Sequence, residues 1–150
     1  HGLTKPINDF IKGLGYYTRV VLGPGADKTE NIDADELYVS PDNFPQLVAQ
    51  SKYLITALGM TVYEALCIGV PVACTAWSQD HEETAEWLEE NGYVRYLGLW
   101  NDIQWGRLEV GMRYLLEHGD SWREVVLAGR DLVDGLGVNR VADAIEGLIS

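Results

Sequence analysis

Short apolar runs alternate along this chain with segments whose apolar residues recur every three or four positions. Residues 4–12 place Ile7, Phe10 and Ile11 on one helical face. Residues 17–22, rich in β-branched and aromatic side chains, read as a strand ended by Gly23-Pro24-Gly25. A short helix is expected over 27–33, a short strand over 37–40, and a helix over 43–50 with Phe44, Leu47 and Val48 inward. The pattern then gives a strand at 53–57, a helix at 61–68, a strand at 71–75, a helix at 80–90 ending before Gly92, and an edge strand at 94–97. Helices over 103–117, 122–133 and 139–149 complete the chain. Short apolar strands alternating with amphipathic helices predict an α/β fold, a Rossmann-like parallel sheet with helices on both faces. No internal repeat, linker or low-complexity segment interrupts it, so residues 1–150 read as one domain.

Composition supports a folded chain and narrows its partners. Hydrophobic residues make up 47% and aromatics 10%, enough to bury a core. Eleven basic side chains face 23 acidic ones, and a net charge of −12 would repel a polyanion, which argues against nucleic acid. No run approaches the roughly 18 apolar residues of a membrane span, and the first twelve residues hold no signal-peptide core. Cys67 and Cys74 sit in apolar surroundings without metal-ligand spacing, so buried free thiols in a reducing cytoplasm are expected.

The stretch that carries chemistry runs from Leu54 to Leu66 and closes with Gly69-Val70-Pro71-Val72-Ala73-Cys74. It reads as strand, glycine turn, helix and a second buried strand. Such a turn aims the free N–H groups of a helix start past the sheet edge, where a diphosphate can sit. No Lys or Arg lies within residues 56–66, so an anion there would be held by backbone N–H groups and the helix dipole, without a cationic clamp. Thr61-Val62-Tyr63-Glu64 also has the form of a capping box, in which Thr61 accepts from the Glu64 N–H and the Glu64 carboxylate reaches back. A second patch, Trp77-Ser78-Gln79-Asp80-His81-Glu82, sits at the next strand-to-helix junction, with Asp80 expected as the cap and Glu82 and Glu83 complementing the dipole.

Other constellations are absent. Gly13-x-Gly15 lacks a third glycine and follows a helix, there is no P-loop or G-x-S-x-G elbow, and His81-Glu82-Glu83 has no second histidine four residues on. His1, His81 and His118 show no ligand spacing, and the five tryptophans read chiefly as core or interface. Trp77 alone falls near the suspected cleft, while Trp100 and Trp105 could mark contact with a partner domain.

The 54–74 stretch resembles the nucleotide-sugar-binding C-terminal half of GT-B-fold glycosyltransferase-like proteins. Within them it is most similar to the pseudaminic-acid-pathway UDP-sugar hydrolase and peptidoglycan N-acetylglucosaminyl transferase groups. The Asp134-Gly135-Leu136-Gly137-Val138-Asn139-Arg140 tail looks like that of the hydrolase group, with Asn139 or Asp134 as the cap of a terminal helix. The resemblance implies that Gly59, Met60 and Thr61 supply N–H groups to a diphosphate and that Glu64 grips the ribose hydroxyls. Asp80 and His81 take the place of a Gln or Asn pair that meets sugar hydroxyls. Gly23 follows a strand whose loop shapes the nucleotide pocket, and Val39 lies where the backbone meets uracil. Leu58 and Met60 stand where those groups usually carry glycine and a small residue, and are expected to narrow the approach.

The implied activity is glycosyl transfer or hydrolysis of a UDP-sugar, with no cofactor or metal required and no catalytic residue assigned in this chain. The fold also implies a central strand before residue 1, lying between the 17–22 and 53–57 strands. Either the chain is a fragment of a longer two-domain protein whose N-terminal domain holds the acceptor site, or those two strands close up on each other; the fragment is expected. A non-catalytic binding or assembly module that keeps the fold without the ligand is the alternative. A sugar-nucleotide epimerase would carry a Ser-Gly-Gly turn that is absent.

Overall fold

In a computed structural model, residues 2–26 and 31–149 are described. In chain order they form α1 (Thr4–Gly13), β1 (Arg19–Leu22), β2 (Glu36–Val39), α2 (Phe44–Ala49), β3 (Leu54–Ala57) and α3 (Met60–Ile68). There follow β4 (Val72–Ala76), α4 (Gln79–Glu90), β5 (Val94–Leu99), α5 (Trp105–Glu117), α6 (Gly119–Leu132) and α7 (Gly137–Ile149). The expected architecture is the one that forms: parallel strands with helices on both sides, Rossmann-like. The expected helix at 27–33 falls largely outside the described residues, and Asn31 to Asp33 carry no regular structure.

The chain divides into two compact units, His1–Phe44 and Pro45–Ser150. In the first, β1 and β2 pair in parallel from Arg19↔Glu36 to Leu22↔Val39. Val20, Leu22 and Ile32 form its buried cluster, with Ala26 and Ala34 packed against it. Helix α1 buries Ile11 together with Asn8, whose amide donates to the Asp33 carbonyl at 3.0 Å. The entry to β1 is pinned by Asp35, whose carboxylate accepts the Thr18 N–H at 2.8 Å; that backbone bond is the main reason its pKa is lowered.

In the second unit β3, β4 and β5 form one parallel sheet in that order. Central β4 is buried at all five positions, as a strand covered on both faces must be. Helices α3, α4 and α5 pack on these strands and α6 packs on α3. Val62, Leu66, Leu88, Leu97 and Leu108 supply fully buried side chains, each worth about 1.5–3 kcal/mol of transfer free energy. Helix α3 ends at Gly69, whose φ of +91° is open to glycine at little cost and disfavours any side chain. Among the described residues β1 pairs only with β2 and β3 only with β4. No helix among the described residues is long and apolar enough to cross a membrane.

The cysteines divide. Cys74 is buried in β4, and burial pushes its thiol up to about 12, whereas Cys67 is only half-buried; both are free. The expectation of two buried thiols therefore holds for Cys74 alone. Cys67 lies on the less covered side of α3, where a Cβ on Gly135 would come within 3.2 Å of its sulfur.

Candidate functional site

Because β3 and β4 are parallel neighbours in register from Leu54↔Val72 to Ala57↔Thr75, their carboxyl ends deliver two strand-to-helix junctions to one sheet edge. Adjacent strands lie about 4.8 Å apart, so the starts of α3 and α4 stand side by side. Gly59, Met60, Thr61, Glu64, Asp80 and His81 all gather at this edge. Gly23 and Val39 follow and end β1 and β2, at the carboxyl edge of the sheet in the other unit.

At the first junction the sequence reading needs correction. Helix α3 begins at Met60 and its N-cap is Gly59, extended at φ 174° and ψ −168°, with no side-chain cap. Thr61 is thus the second helical residue, and the Thr61–Glu64 capping box does not form. The chain enters the helix one residue earlier because the Leu58 N–H is drawn into the ladder by the Thr75 carbonyl at 2.8 Å. Two consequences bear on the site. Glu64 is exposed and forms no hydrogen bond or ion pair among the described residues, leaving its carboxylate unused. Of the two side chains expected to narrow the approach, Leu58 is buried at 7% exposure and Met60 stands 74% exposed. Leu58 and Met60 aside, a Cβ built on Gly59 would meet nothing within 4 Å.

At the second junction the cap is Ser78, not Asp80. The Ser78 Oγ accepts the His81 N–H at a long 3.5 Å. Asp80 and Glu82 sit in the first turn, where their charge complements the helix dipole. Serine immediately before Gln79-Asp80-His81 was a readable cap signal; aspartate two residues on competed with it. The side chains of Asp80 and His81 are exposed, whereas Glu82 is committed, accepting the Tyr96 hydroxyl from β5 at 2.8 Å. The Trp100 N–H reaches the Ala76 carbonyl at 2.9 Å, and the Trp77 and Trp100 rings meet with centroids 5.7 Å apart, tilted by 33°. Trp100 therefore joins Trp77 at this edge, a pairing that 22 residues of intervening sequence gave no means to foresee.

In the other unit, the Ser40 N–H donates to the Leu22 carbonyl at 2.8 Å and so closes the ladder after Val39. Ser40 takes φ +47°, a left-handed conformation costing about 1–2 kcal/mol for a residue with a side chain. The Val39 side chain is 42% exposed.

The tail adds a clamp. Arg140 donates to both oxygens of Asp134, at 2.7 and 2.9 Å, and Asp134 also accepts the Leu136 N–H at 2.9 Å. Arg140 first, then that backbone bond, holds the Asp134 carboxyl at about 2. Asp134 thus serves the turn that precedes α7. Among the described residues no three His, Cys, Asp or Glu side chains converge as a metal site would require.

This arrangement defines a class by fold. The chain superposes on spinosyn forosaminyltransferase SpnP with a TM-score of 0.69 over 97% of its length at 16% identity, covering 38% of that protein. It superposes with a TM-score of 0.68 over 99% of its length on a protein described as a UDP-N-acetylglucosamine 2-epimerase from Listeria monocytogenes, at 18% identity and 40% coverage of that chain. The fold is accordingly that of one half of the GT-B-type glycosyltransferases and epimerases. In sequence, the chain is 30% identical over 102 residues to the spore coat polysaccharide biosynthesis protein SpsG of Bacillus subtilis (strain 168), which takes in 68% of this chain and 30% of that protein. No family model matches. The chain spans about a third of the length of these proteins.

Proposed function

We propose that this chain binds a nucleotide sugar, specifically a UDP-sugar, as the donor half of a glycosyltransferase or UDP-sugar hydrolase. The observation that carries the reading is the start of α3, which has no side-chain cap, with an unengaged Glu64 one turn along. Backbone N–H groups of Gly59, Met60 and Thr61 hold the diphosphate, assisted by the dipole of α3. Glu64 accepts hydrogen bonds from the two ribose hydroxyls. Asp80 and His81, on the adjoining helix start, meet hydroxyls of the sugar, one as acceptor and the other as donor or acceptor.

Chemically the chain's contribution is to the leaving group. Fixed N–H donors stabilise the charge that develops on the diphosphate as the glycosidic bond breaks, and they need no reorganisation to do so. The group that activates the acceptor or water lies in a further domain of a longer protein, a reading supported by the share of SpnP and SpsG that the chain spans.

Calorimetric titration with UDP, and with CMP and GDP as controls, tests this. Saturable binding of UDP alone is expected, weakened about tenfold or more by Glu64→Ala, which removes two hydrogen bonds to a charged acceptor. Failure of UDP to bind both this chain and the full-length protein, or an undiminished affinity in Glu64→Ala, overturns the reading.

A further inference from the structure

At the opposite end of the second sheet, under the amino ends of β4 and β5, lies a cavity of about 190 Å³. Val72 and Val94, the first residues of those strands, line it together with Tyr53, Glu89, Arg95 and Gly111. A water molecule occupies about 30 Å³ of liquid, so the space suits a small organic molecule. Strand β4 separates it from the edge bearing Gly59 and Ser78 by about 16 Å, at some 3.3 Å per residue.

The polar groups facing this space are unbalanced in one direction. Glu89 has both oxygens engaged. Its Oε1 accepts from Arg95 Nη1 at 3.3 Å and from the Tyr96 N–H at 3.1 Å, and its Oε2 accepts from Arg107 Nη2 at 2.7 Å. The lining carries the Glu89 carboxylate and the Arg95 guanidinium, and Arg107, which is not part of the lining, takes up the second Glu89 oxygen. The donors, by contrast, are in surplus. Among the described residues the Tyr53 hydroxyl is buried without a hydrogen-bond partner. Arg95 engages Glu89 through Nη1, and among the described residues its Nε–H has no hydrogen-bond acceptor. Both the Arg95 Nε and the Tyr53 oxygen lie within 3.6 Å of the point a Cβ on Gly111 would occupy. A buried hydroxyl left unpaired carries a desolvation cost that a ligand supplying an acceptor would recover.

We propose that this cavity binds a small carboxylate, whose oxygens accept from the Tyr53 hydroxyl and the Arg95 Nε–H above the bare backbone of Gly111. The planar guanidinium fork suits a carboxylate better than a spherical anion. Glycine at position 111 keeps the space open, since a single methyl there would fill the point on which the two donors converge.

The test is titration of the whole isotopically labelled chain with sodium acetate at constant ionic strength, following the amides of Gly92 and Gly111 by NMR, with sodium chloride and acetamide as controls. Acetate is expected to shift both amides saturably, and chloride and acetamide are not. Tyr53→Phe, which deletes one donor, and Gly111→Ala, which occupies the space and favours the helix, should each weaken acetate by about tenfold. Absence of a saturable acetate shift, meaning a cavity that holds water only, overturns the proposal. So does an equal response to acetamide, or acetate binding undiminished in Gly111→Ala.

Discussion

Arg130, on α6, donates through Nη2 to the Ile68 carbonyl at 2.7 Å across 62 residues of sequence. The guanidinium thereby satisfies a carbonyl that the last turn of α3 leaves unpaired, and its charge complements the negative end of that helix. It also crosses directly over Gly69, where an added Cβ would come within 2.7 Å of the Arg130 Nε. The helix that carries the proposed donor site is thus fixed at its far end by a side chain distant in sequence, while its near end is left bare.

Replacing Arg130 by Ala should destabilise the chain by about 1 kcal/mol, the net worth of one hydrogen bond to a terminal carbonyl. Gly69→Ala should cost more, because it strains φ and displaces the same guanidinium at once. Urea denaturation of both variants checks the order; a Gly69→Ala chain as stable as the parent would show that the contact is not formed.

Glu64 and Ser78 distinguish ligand-binding from helix-forming roles. Glu64→Ala should alter stability by less than about 0.5 kcal/mol, because the side chain is exposed and caps nothing. Ser78→Ala removes a cap and should cost about 0.5–1 kcal/mol, the low end of the usual range given the 3.5 Å bond. Thermal unfolding of the two variants side by side reads the contrast, and a larger loss in Glu64→Ala would restore the capping box.

Acid should loosen the first unit in a defined window. The Glu36 carboxyl is held at about 2, below its ordinary 4.5, first by Arg19 and then by the Tyr38 and Tyr17 hydroxyls. A folded-state pKa below the unfolded one gives stability that is present above the unfolded value and lost as pH falls through the folded one. Resistance to urea should therefore hold steady down to about pH 5 and decline between about 4.5 and 2. Asp134, held at about 2 by Arg140 against an ordinary 3.8, adds to the acid end of this decline in the second unit. Glu36→Gln should flatten part of the decline; an unchanged acid profile in that variant would remove Glu36 as a cause.

Thiol reactivity should separate the two cysteines. In the native chain Cys67 should react with a disulfide reagent and Cys74 should not, since Cys74 is buried with its thiol raised to about 12. Both should react after unfolding in urea. Two equally fast thiols in the folded chain would contradict the burial of β4.

The order of helices and strands was legible because each depends on local spacing. Four apolar strand residues or a helical stripe declare themselves within a dozen positions, and the ends of the elements shifted by up to three residues, by one at Leu54 and Gln79 and by three at Gly119. The gathering of Gly59 and Asp80 at one edge followed as well, since consecutive parallel strands place successive strand-to-helix junctions on the same side. The caps were less legible. Thr61-x-x-Glu64 satisfies a local rule, yet the pairing of Leu58 with Thr75 started the helix before Thr61 and released Glu64.

The sequence by itself therefore determined the α/β alternation, the parallel sense of the strands, the acidic character and the junctions where chemistry can sit. Only the tertiary structure decided which polar groups are spent and which are free. Glu82 is taken by Tyr96, Asp134 by Arg140, Glu89 by two arginines and the end of α3 by Arg130, while Glu64 and the Tyr53 hydroxyl are left over. Periodicity encodes which face of an element is buried. It does not encode which donor from a distant element arrives at that face, because such contacts depend on how the packed elements close in space.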